Sequence, residues 1–154
     1  MNVTQKLYIS QKECFDTLVS SAIYDVKNAT GKTLQVRKLE GYKYQRTMSN
    51  GALATTKIVK VQPNELYQFE TSSRVNTHTT TYTIKSTSET TCEVTYNELI
   101  ETEKALNKMN NIIVGFMFGF FRKKRVKNLL KSIELSVINE SKQKQEKLAA
   151  KSEQ

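Results

Sequence analysis

Polar and apolar residues alternate with a period of two at the start of the chain. Val3, Leu7 and Ile9 fall on one side of this alternation, and mostly polar residues separate them. A period of two predicts a strand with one buried face. The strand is expected to end at Ser10, where the period changes.

A helix is expected directly after this strand. Ser10 and Glu13 have the spacing of a capping box, in which the two side chains satisfy free amides of the first helical turn. Apolar residues then recur every three to four positions, and Gly31 predicts the C-terminal end. The pattern weakens around residues 20 and 21, so two short helices are an alternative to one.

From residue 33 to about residue 101 the chain is rich in threonine, valine, tyrosine and isoleucine, with turn residues every ten or so positions. This texture predicts consecutive strands joined by short turns, which form an antiparallel meander. Turns are expected at Asn50-Gly51, at Gln62 to Glu65 with Pro63 in second position, and at Ser88 to Thr90. Strands are predicted over residues 35 to 48, 52 to 62, 66 to 73, 77 to 87 and 91 to 101.

The remainder predicts one long helix that begins near Thr102. Its apolar positions fall into two sets that differ in azimuth by roughly 100°. A straight helix cannot bury both sets, so a bend is expected near Gly115 or Gly119. We therefore predict one domain over residues 1 to 138 and a polar helical extension or disordered tail over residues 139 to 154.

The distribution of charge and the spacing of the cysteines indicate which kinds of site and which compartment to expect. The net charge is +9, and eight of the 24 basic residues lie between Lys104 and Lys131, a segment without acidic residues. Cys14 and Cys92 lack the spacing of a zinc or redox motif, and we expect both to be reduced and buried. Neither a signal peptide nor a transmembrane span is predicted, which favours the cytoplasm.

The order of elements resembles the helix-grip fold of the START-like, or SRPBCC, superfamily. Two segments, Tyr24 to Lys32 and Phe120 to Lys131, are similar to a bacterial branch of that superfamily that is a family of unknown function. The resemblance covers about residues 2 to 138. It implies an α+β fold in which a curved antiparallel sheet of about six strands wraps the C-terminal helix. It also implies space for an apolar or amphipathic ligand between the two, but no set of functional residues can be carried over from it.

Strand alternation predicts which residues line that space. Aromatic and polar side chains of the five later strands share the concave face, and two phenylalanines of the last helix oppose them. Simple core packing of these aromatic residues is the alternative. The predicted ligand-binding residues are Tyr42, Tyr44, Arg46, Phe69, His78, Thr80, Tyr82, Tyr96, Phe116 and Phe120, with Tyr67 and Val94 on the same face.

Catalytic and metal sites are not indicated. His78 is the only histidine, which excludes a multi-histidine metal site, and its sequence neighbours include no acid to orient it. No glycine-rich phosphate loop is present, so no cofactor is expected. A cyclase- or hydratase-type enzyme would need Glu98 or His78 to face the cavity.

A cluster of cations on the last helix is the other candidate site. Its predicted contacts are an anionic ligand group, an anionic membrane surface or an acidic protein, whereas motifs of nucleic-acid binding are missing. A solvated basic face is the alternative. The cluster comprises Arg122, Lys123, Lys124, Arg125, Lys127 and Lys131.

Three functions follow from these features. The first is a non-catalytic binding protein for a small amphipathic or lipid-like ligand. The second is an adaptor that docks through its basic helix to an acidic protein or a membrane. The third is a cyclase- or hydratase-like enzyme. The sequence does not predict the oligomeric state.

Overall fold

The computed structural model has the element order β-α-β-β-β-β-β-α, with one short 3₁₀ turn after the first helix. It describes the backbone of residues 1–48, 51–74, 76–102 and 111–152. Side chains are described for the same ranges except residues 102, 111–121 and 152. These elements form the predicted α+β fold, in which one antiparallel sheet packs against two helices.

The first two elements follow the sequence pattern closely. Strand β1 spans Asn2–Leu7 and buries Val3 and Leu7. Helix α1 spans Gln11–Thr30 as a single helix, so the alternative of two short helices is wrong. The capping box is confirmed, because Glu13 N donates to Ser10 Oγ and Ser10 N donates to Glu13 Oε2. Gly31 ends the helix with φ 73° and donates to the Lys27 carbonyl at 2.8 Å.

The predicted strand over residues 35 to 48 is much shorter in the structure. Val36–Lys38 form a 3₁₀ turn, and strand β2 covers only Lys43–Thr47. The fully buried Leu39 holds this turn in place, and Tyr42 N donates to the Leu39 carbonyl. Gly41 then reverses the chain with φ 80°, a conformation that side chains disfavour. The predicted strand runs through this turn, because it continues past Gly41 instead of ending before it.

The other four strands match their predicted positions to within a residue or two. They are β3 at Leu53–Gln62, β4 at Leu66–Ser72, β5 at Asn76–Ser88 and β6 at Thr91–Thr102. Pro63 lies in the β3–β4 turn, where Asn64 has φ 64° and Glu65 N donates to the Gln62 carbonyl. Gly51 donates to the Met48 carbonyl between β2 and β3, and Asn50 lies outside the described residues.

The six strands pair antiparallel in the order β1-β6-β5-β4-β3-β2. The first strand therefore joins the last one, while β2 to β6 form the predicted meander. Register shifts between Ile58 and Lys60 and between Ser86 and Ser88 interrupt the ladder at two points. Such irregularities bend a strand and increase its twist.

Helix α2 spans Asn111–Ser152. Val126, Leu130 and Ile133 pack into the same core as α1 and the inner face of the sheet. Beyond residue 138 every described side chain is exposed, so the end of α2 is a solvated helical extension. Thr102, near which the helix is expected to begin, is the last residue of β6, and residues 103–110 lie outside the described residues. The side chains around Gly115 and Gly119 are also outside the described set, and the bend stays a prediction.

Candidate functional site

The inner face of the sheet carries the aromatic row that the alternation predicted. Tyr67 lies opposite Tyr82 on the neighbouring strand, and Tyr82 lies opposite Tyr96 on the next. The ring centroids of Tyr67 and Tyr82 are 6.3 Å apart, and those of Tyr82 and Tyr96 meet edge to face at 5.3 Å. Directly opposed residues of antiparallel strands point to the same face, so the common orientation of this row is confirmed.

A cavity of about 200 Å³ lies between this face, α1 and α2, and we call it the aromatic cavity. Three layers of the fold supply its walls, and most of its lining is apolar or aromatic. Its described lining residues are Leu18, Ser21, Ala22 and Asp25 of α1, Tyr44, Arg46, Thr56, Tyr67, Phe69 and Tyr82 of the sheet, and Leu129 and Ile133 of α2.

An ion pair provides the polar end of the aromatic cavity. Arg46 Nη1 on β2 donates to Asp25 Oδ2 on α1 at 3.1 Å. The Arg46 Nε atom is buried and has no hydrogen-bond partner among the described residues. A buried donor without an acceptor is costly, and a ligand that brings an acceptor would remove that cost.

The phenol groups of the cavity are neutral donors at physiological pH. Burial raises the pKa of Tyr67 and Tyr82 well above the ordinary value of 10.0. Burial also raises the pKa of Tyr44, and the nearby Asp25 carboxylate adds to this effect. The cavity therefore combines apolar rings with hydroxyl groups that keep their protons.

A second cavity of about 340 Å³ lies beside the first, and we call it the arginine cavity. Leu129 lines both cavities, so they adjoin at this side chain. The described lining of the arginine cavity consists of Met1, Tyr96, Glu98, Arg122, Arg125, Val126 and Leu129.

Glu98 is the central acid of the arginine cavity. Its side chain is only 11% exposed, and both carboxylate oxygens have partners. Oε1 lies 3.1 Å from His78 Nδ1, and Oε2 accepts a hydrogen bond from Arg122. The expectation that His78 lacks a nearby acid is therefore wrong. Glu98 follows Tyr96 by two residues on β6, so the same alternation could have placed it on the inner face.

The structure separates the predicted ligand-binding residues into three groups. Tyr44, Arg46, Phe69 and Tyr82 line the aromatic cavity, whereas Tyr96 lines the arginine cavity. Three others lie near the cavities without lining them: Tyr42 packs at the margin of the core, Thr80 is buried opposite Glu98, and His78 contacts Glu98. The side chains of Phe116 and Phe120 lie outside the described residues.

The predicted cations also divide into groups. Arg122 and Arg125 line the arginine cavity, and Lys131 donates to Glu134. Lys123, Lys124 and Lys127 are exposed on the outer side of α2. Val126, Leu130 and Ile133 form the described inner face of this segment.

Sequence reasoning missed the contribution of α1 to the site. Leu18 and Ala22 belong to the apolar face of α1, but no sequence pattern indicates that they border a cavity. Asp25 carries no signal in the sequence, because its role depends on how α1 docks against β2. Leu129 was assigned to an apolar set of α2 without a link to either cavity.

Neither a metal cluster nor a membrane-crossing helix is found among the described residues. No cluster of three or more histidine, cysteine or acidic side chains in the described chain has an arrangement suited to a metal ion. Within the described parts of the chain, no helix combines the length and apolar character that crossing a bilayer requires. Cys14 and Cys92 are both free and buried.

Solved structures similar to this chain share its fold at low sequence identity. Ara h 8.0201 is 10% identical, with a TM-score of 0.61 over 90% of this chain and 97% of that one. Norcoclaurine synthase from Thalictrum flavum, solved with dopamine and hydroxybenzaldehyde, is 8% identical, with a TM-score of 0.61 over 90% and 86%. A conserved protein from Geobacillus kaustophilus is 15% identical, with a TM-score of 0.58 over 90% and 94%. The predicted helix-grip fold is thereby confirmed.

A comparison with curated protein sequences found no match. A comparison with family models matched residues 1–119 to the family described as a domain of unknown function, DUF3284. The match covers every element from β1 to β6 and the beginning of α2. The chain therefore belongs to the DUF3284 family.

Proposed function

We propose that this protein is a non-catalytic binding protein that holds a small amphipathic ligand in the aromatic cavity. The observation that carries the proposal is an apolar space walled by α1, the sheet and α2, with the buried Arg46 Nε atom, which has no partner among the described residues, at its polar end. Ligand sites typically combine an apolar lining with a few polar groups that orient the ligand.

The size of the aromatic cavity indicates the size of the ligand's apolar part. An apolar cavity of about 150 Å³ holds a benzene molecule. The 200 Å³ aromatic cavity therefore suits one ring system with a short substituent. Tyr67, Phe69 and Tyr82 offer ring faces and edges against which an aromatic ligand packs favourably.

The polar end of the cavity indicates the second part of the ligand. Arg46 donates to Asp25 through Nη1, and its Nε atom is a buried donor without a partner among the described residues. A carbonyl, hydroxyl or carboxylate oxygen would satisfy it. A structural neighbour supports this class of ligand, because norcoclaurine synthase was solved with dopamine and hydroxybenzaldehyde, which are small polar aromatic molecules.

The experiment is a ligand-observed NMR titration with 3-phenylpropanamide, a neutral aromatic amide. We expect saturable binding to the wild-type chain and its loss in Ala22→Leu, which fills the aromatic cavity from α1. Ala29→Leu adds the same bulk at an exposed position of the same helix and should keep the wild-type affinity. Absence of binding to the wild-type chain, or equal affinity for both variants, would remove the proposal.

A second candidate function is docking to an anionic membrane through the outer face of α2. Lys123, Lys124 and Lys127 are exposed, and none of them forms an ion pair with another described residue. Clustered cations near a surface attract anionic lipids by about 1 kcal/mol each. This candidate is independent of the aromatic cavity.

Vesicle flotation tests the second candidate. We expect the chain to bind vesicles that contain phosphatidylserine and not vesicles of phosphatidylcholine alone. Replacing Lys123, Lys124 and Lys127 by glutamine should abolish this binding. The matched control replaces Lys142, Lys144 and Lys147, three exposed lysines of the helical extension, and should retain it. Equal loss in both triple variants would show a general charge effect and reject this surface.

A further inference from the structure

We propose that the arginine cavity is an anion subsite of the ligand site, so that the ligand carries a carboxylate or a similar anionic group. This inference rests on the proposed function, because the aromatic cavity would hold the body of the same molecule. The subsite is formed by Arg125 and Arg122, with Val126 and Leu129 as its apolar wall.

Among the described side chains that line the arginine cavity, one cation is left uncompensated. Glu98 is the cavity's only described acid, and Arg122 neutralises it through a direct hydrogen bond. His78 occupies the other Glu98 oxygen, so this carboxylate has no free oxygen that needs a further cation. Arg125 also lines the cavity and has no acidic partner among the described residues. The described lining therefore favours an anion over a neutral group or a cation.

Arginine suits this role for a geometric reason. Its planar guanidinium group binds carboxylate oxygens in pairs, and its charge persists at every physiological pH. Arg125 and Leu129 are four residues apart on α2, which places them on the same side of the helix. The cation and the apolar wall of the subsite thus come from consecutive turns of one rigid element.

Leu129 and the tyrosine pair connect the subsite to the aromatic cavity. Leu129 lines both cavities. Tyr96 lines the arginine cavity, and its ring contacts Tyr82, which lines the aromatic cavity. One molecule with a ring at Tyr82 and a short chain that passes Leu129 would reach Arg125 with its anionic end. The alternative is that each cavity binds a different ligand. Two unrelated sites would then lie on either side of Leu129.

The experiment compares 3-phenylpropanoate with 3-phenylpropanamide, which share a ring and a chain and differ in charge. At low ionic strength the wild-type chain should prefer the anion by about fivefold, the effect of one partly exposed charge pair. Arg125→Gln should remove this preference and leave the affinity for the amide unchanged. Added NaCl should weaken the preference in the wild-type chain, because salt screens exposed charges.

Two control variants assign the effect to the arginine cavity. Lys127→Gln removes a cation from the exposed side of the same helix turn and should leave the anion preference intact. Arg46→Gln tests the competing site at the far end of the aromatic cavity and should not abolish the anion preference. A preference that survives Arg125→Gln, or that only Arg46→Gln abolishes, would overturn the inference.

The outcomes for the two proposals are distinguishable. If Ala22→Leu abolishes binding of the amide, the proposed function is kept. If Arg125→Gln leaves the anion preference unchanged, the anion subsite is rejected. Failure of the amide to bind removes the proposed function. If the anion alone still bound through Arg125, the arginine cavity would stand as a separate anion site.

Discussion

The backbone amide of Tyr8 donates a 2.9 Å hydrogen bond to Glu134 Oε2, which joins the end of β1 to α2. Glu134 is only 2% exposed and also accepts a hydrogen bond from Lys131. A charged side chain so deeply buried in the described core must be held by its partners. This contact fixes the part of α2 that borders both cavities.

We predict that Glu134→Ala lowers the free energy of unfolding by about 1–3 kcal/mol, since it removes a buried acceptor that serves a backbone amide. Urea unfolding followed by circular dichroism measures the change. Glu140→Ala alters an exposed acid of the same helix and should change stability by less than about 0.5 kcal/mol. Similar values for the two variants would mean that the Tyr8 contact contributes little.

The same carboxylate should make stability dependent on pH in the acidic range. Burial acts to raise the pKa of Glu134, but hydrogen bonds from Lys131 and Tyr8 outweigh it and hold the pKa below its ordinary value of 4.5. The unfolded chain therefore binds the proton first, and the stabilisation present above pH 4.5 is lost as the pH falls through the folded pKa. The stability difference between the wild-type chain and Glu134→Gln should shrink between neutral pH and pH of about 3. A constant difference would contradict this assignment.

The buried tyrosines predict a loss of stability at alkaline pH. Burial raises the pKa of Tyr44, Tyr67, Tyr82 and Tyr96 above 10.0, so the unfolded chain releases these protons first. Their contribution is complete below pH 10.0 and declines as the pH rises above it. Absorbance titration should show four of the seven tyrosines ionising at higher pH in the folded chain than in the unfolded chain. The urea-unfolded chain is the reference, and identical titration curves in the two states would disprove the prediction.

Cys14 is expected to resist alkylation in the folded chain. A hydrogen bond with Cys92 and burial raise the pKa of the Cys14 thiol, and both cysteines are fully buried. The thiolate is the reactive form, so iodoacetamide at pH of about 8 should modify Cys14 of the folded chain at least about a hundredfold more slowly than Cys14 of the unfolded chain. Mass spectrometry of timed samples measures both rates. Rapid native modification would place Cys14 at the surface.

Most of the fold could be predicted because local signals and tertiary packing agree. The capping box at Ser10, the glycine stop at Gly31 and the turn at Pro63 each act over a few residues, and each is confirmed. Strand alternation likewise depends only on burial of one face. Gly41 was missed because one glycine in a strand-like stretch is compatible with a bulge or a turn, and only the burial of Leu39 decides between them.

The site could be predicted only in part, for a geometric reason. Tyr44, Phe69 and Tyr82 were placed correctly because alternation fixes the face of a strand. Asp25 contacts Arg46 only because of the way α1 packs against β2. No local sequence pattern predicts this packing. Glu98 shares the face of Tyr96, so its inward direction was available from the sequence, but its contact with His78 depends on the pairing of β5 with β6.

The position of β1 has a consequence for how the chain folds. Asn2 pairs with Asn97, so β1 has no partner strand until β6 is present. Contacts between residues so far apart in sequence require closure of a long loop and slow the folding reaction. During synthesis β1 and α1 leave the ribosome well before β6. Until β6 is available, β1 has no partner strand, and its open edge is exposed to unproductive pairing.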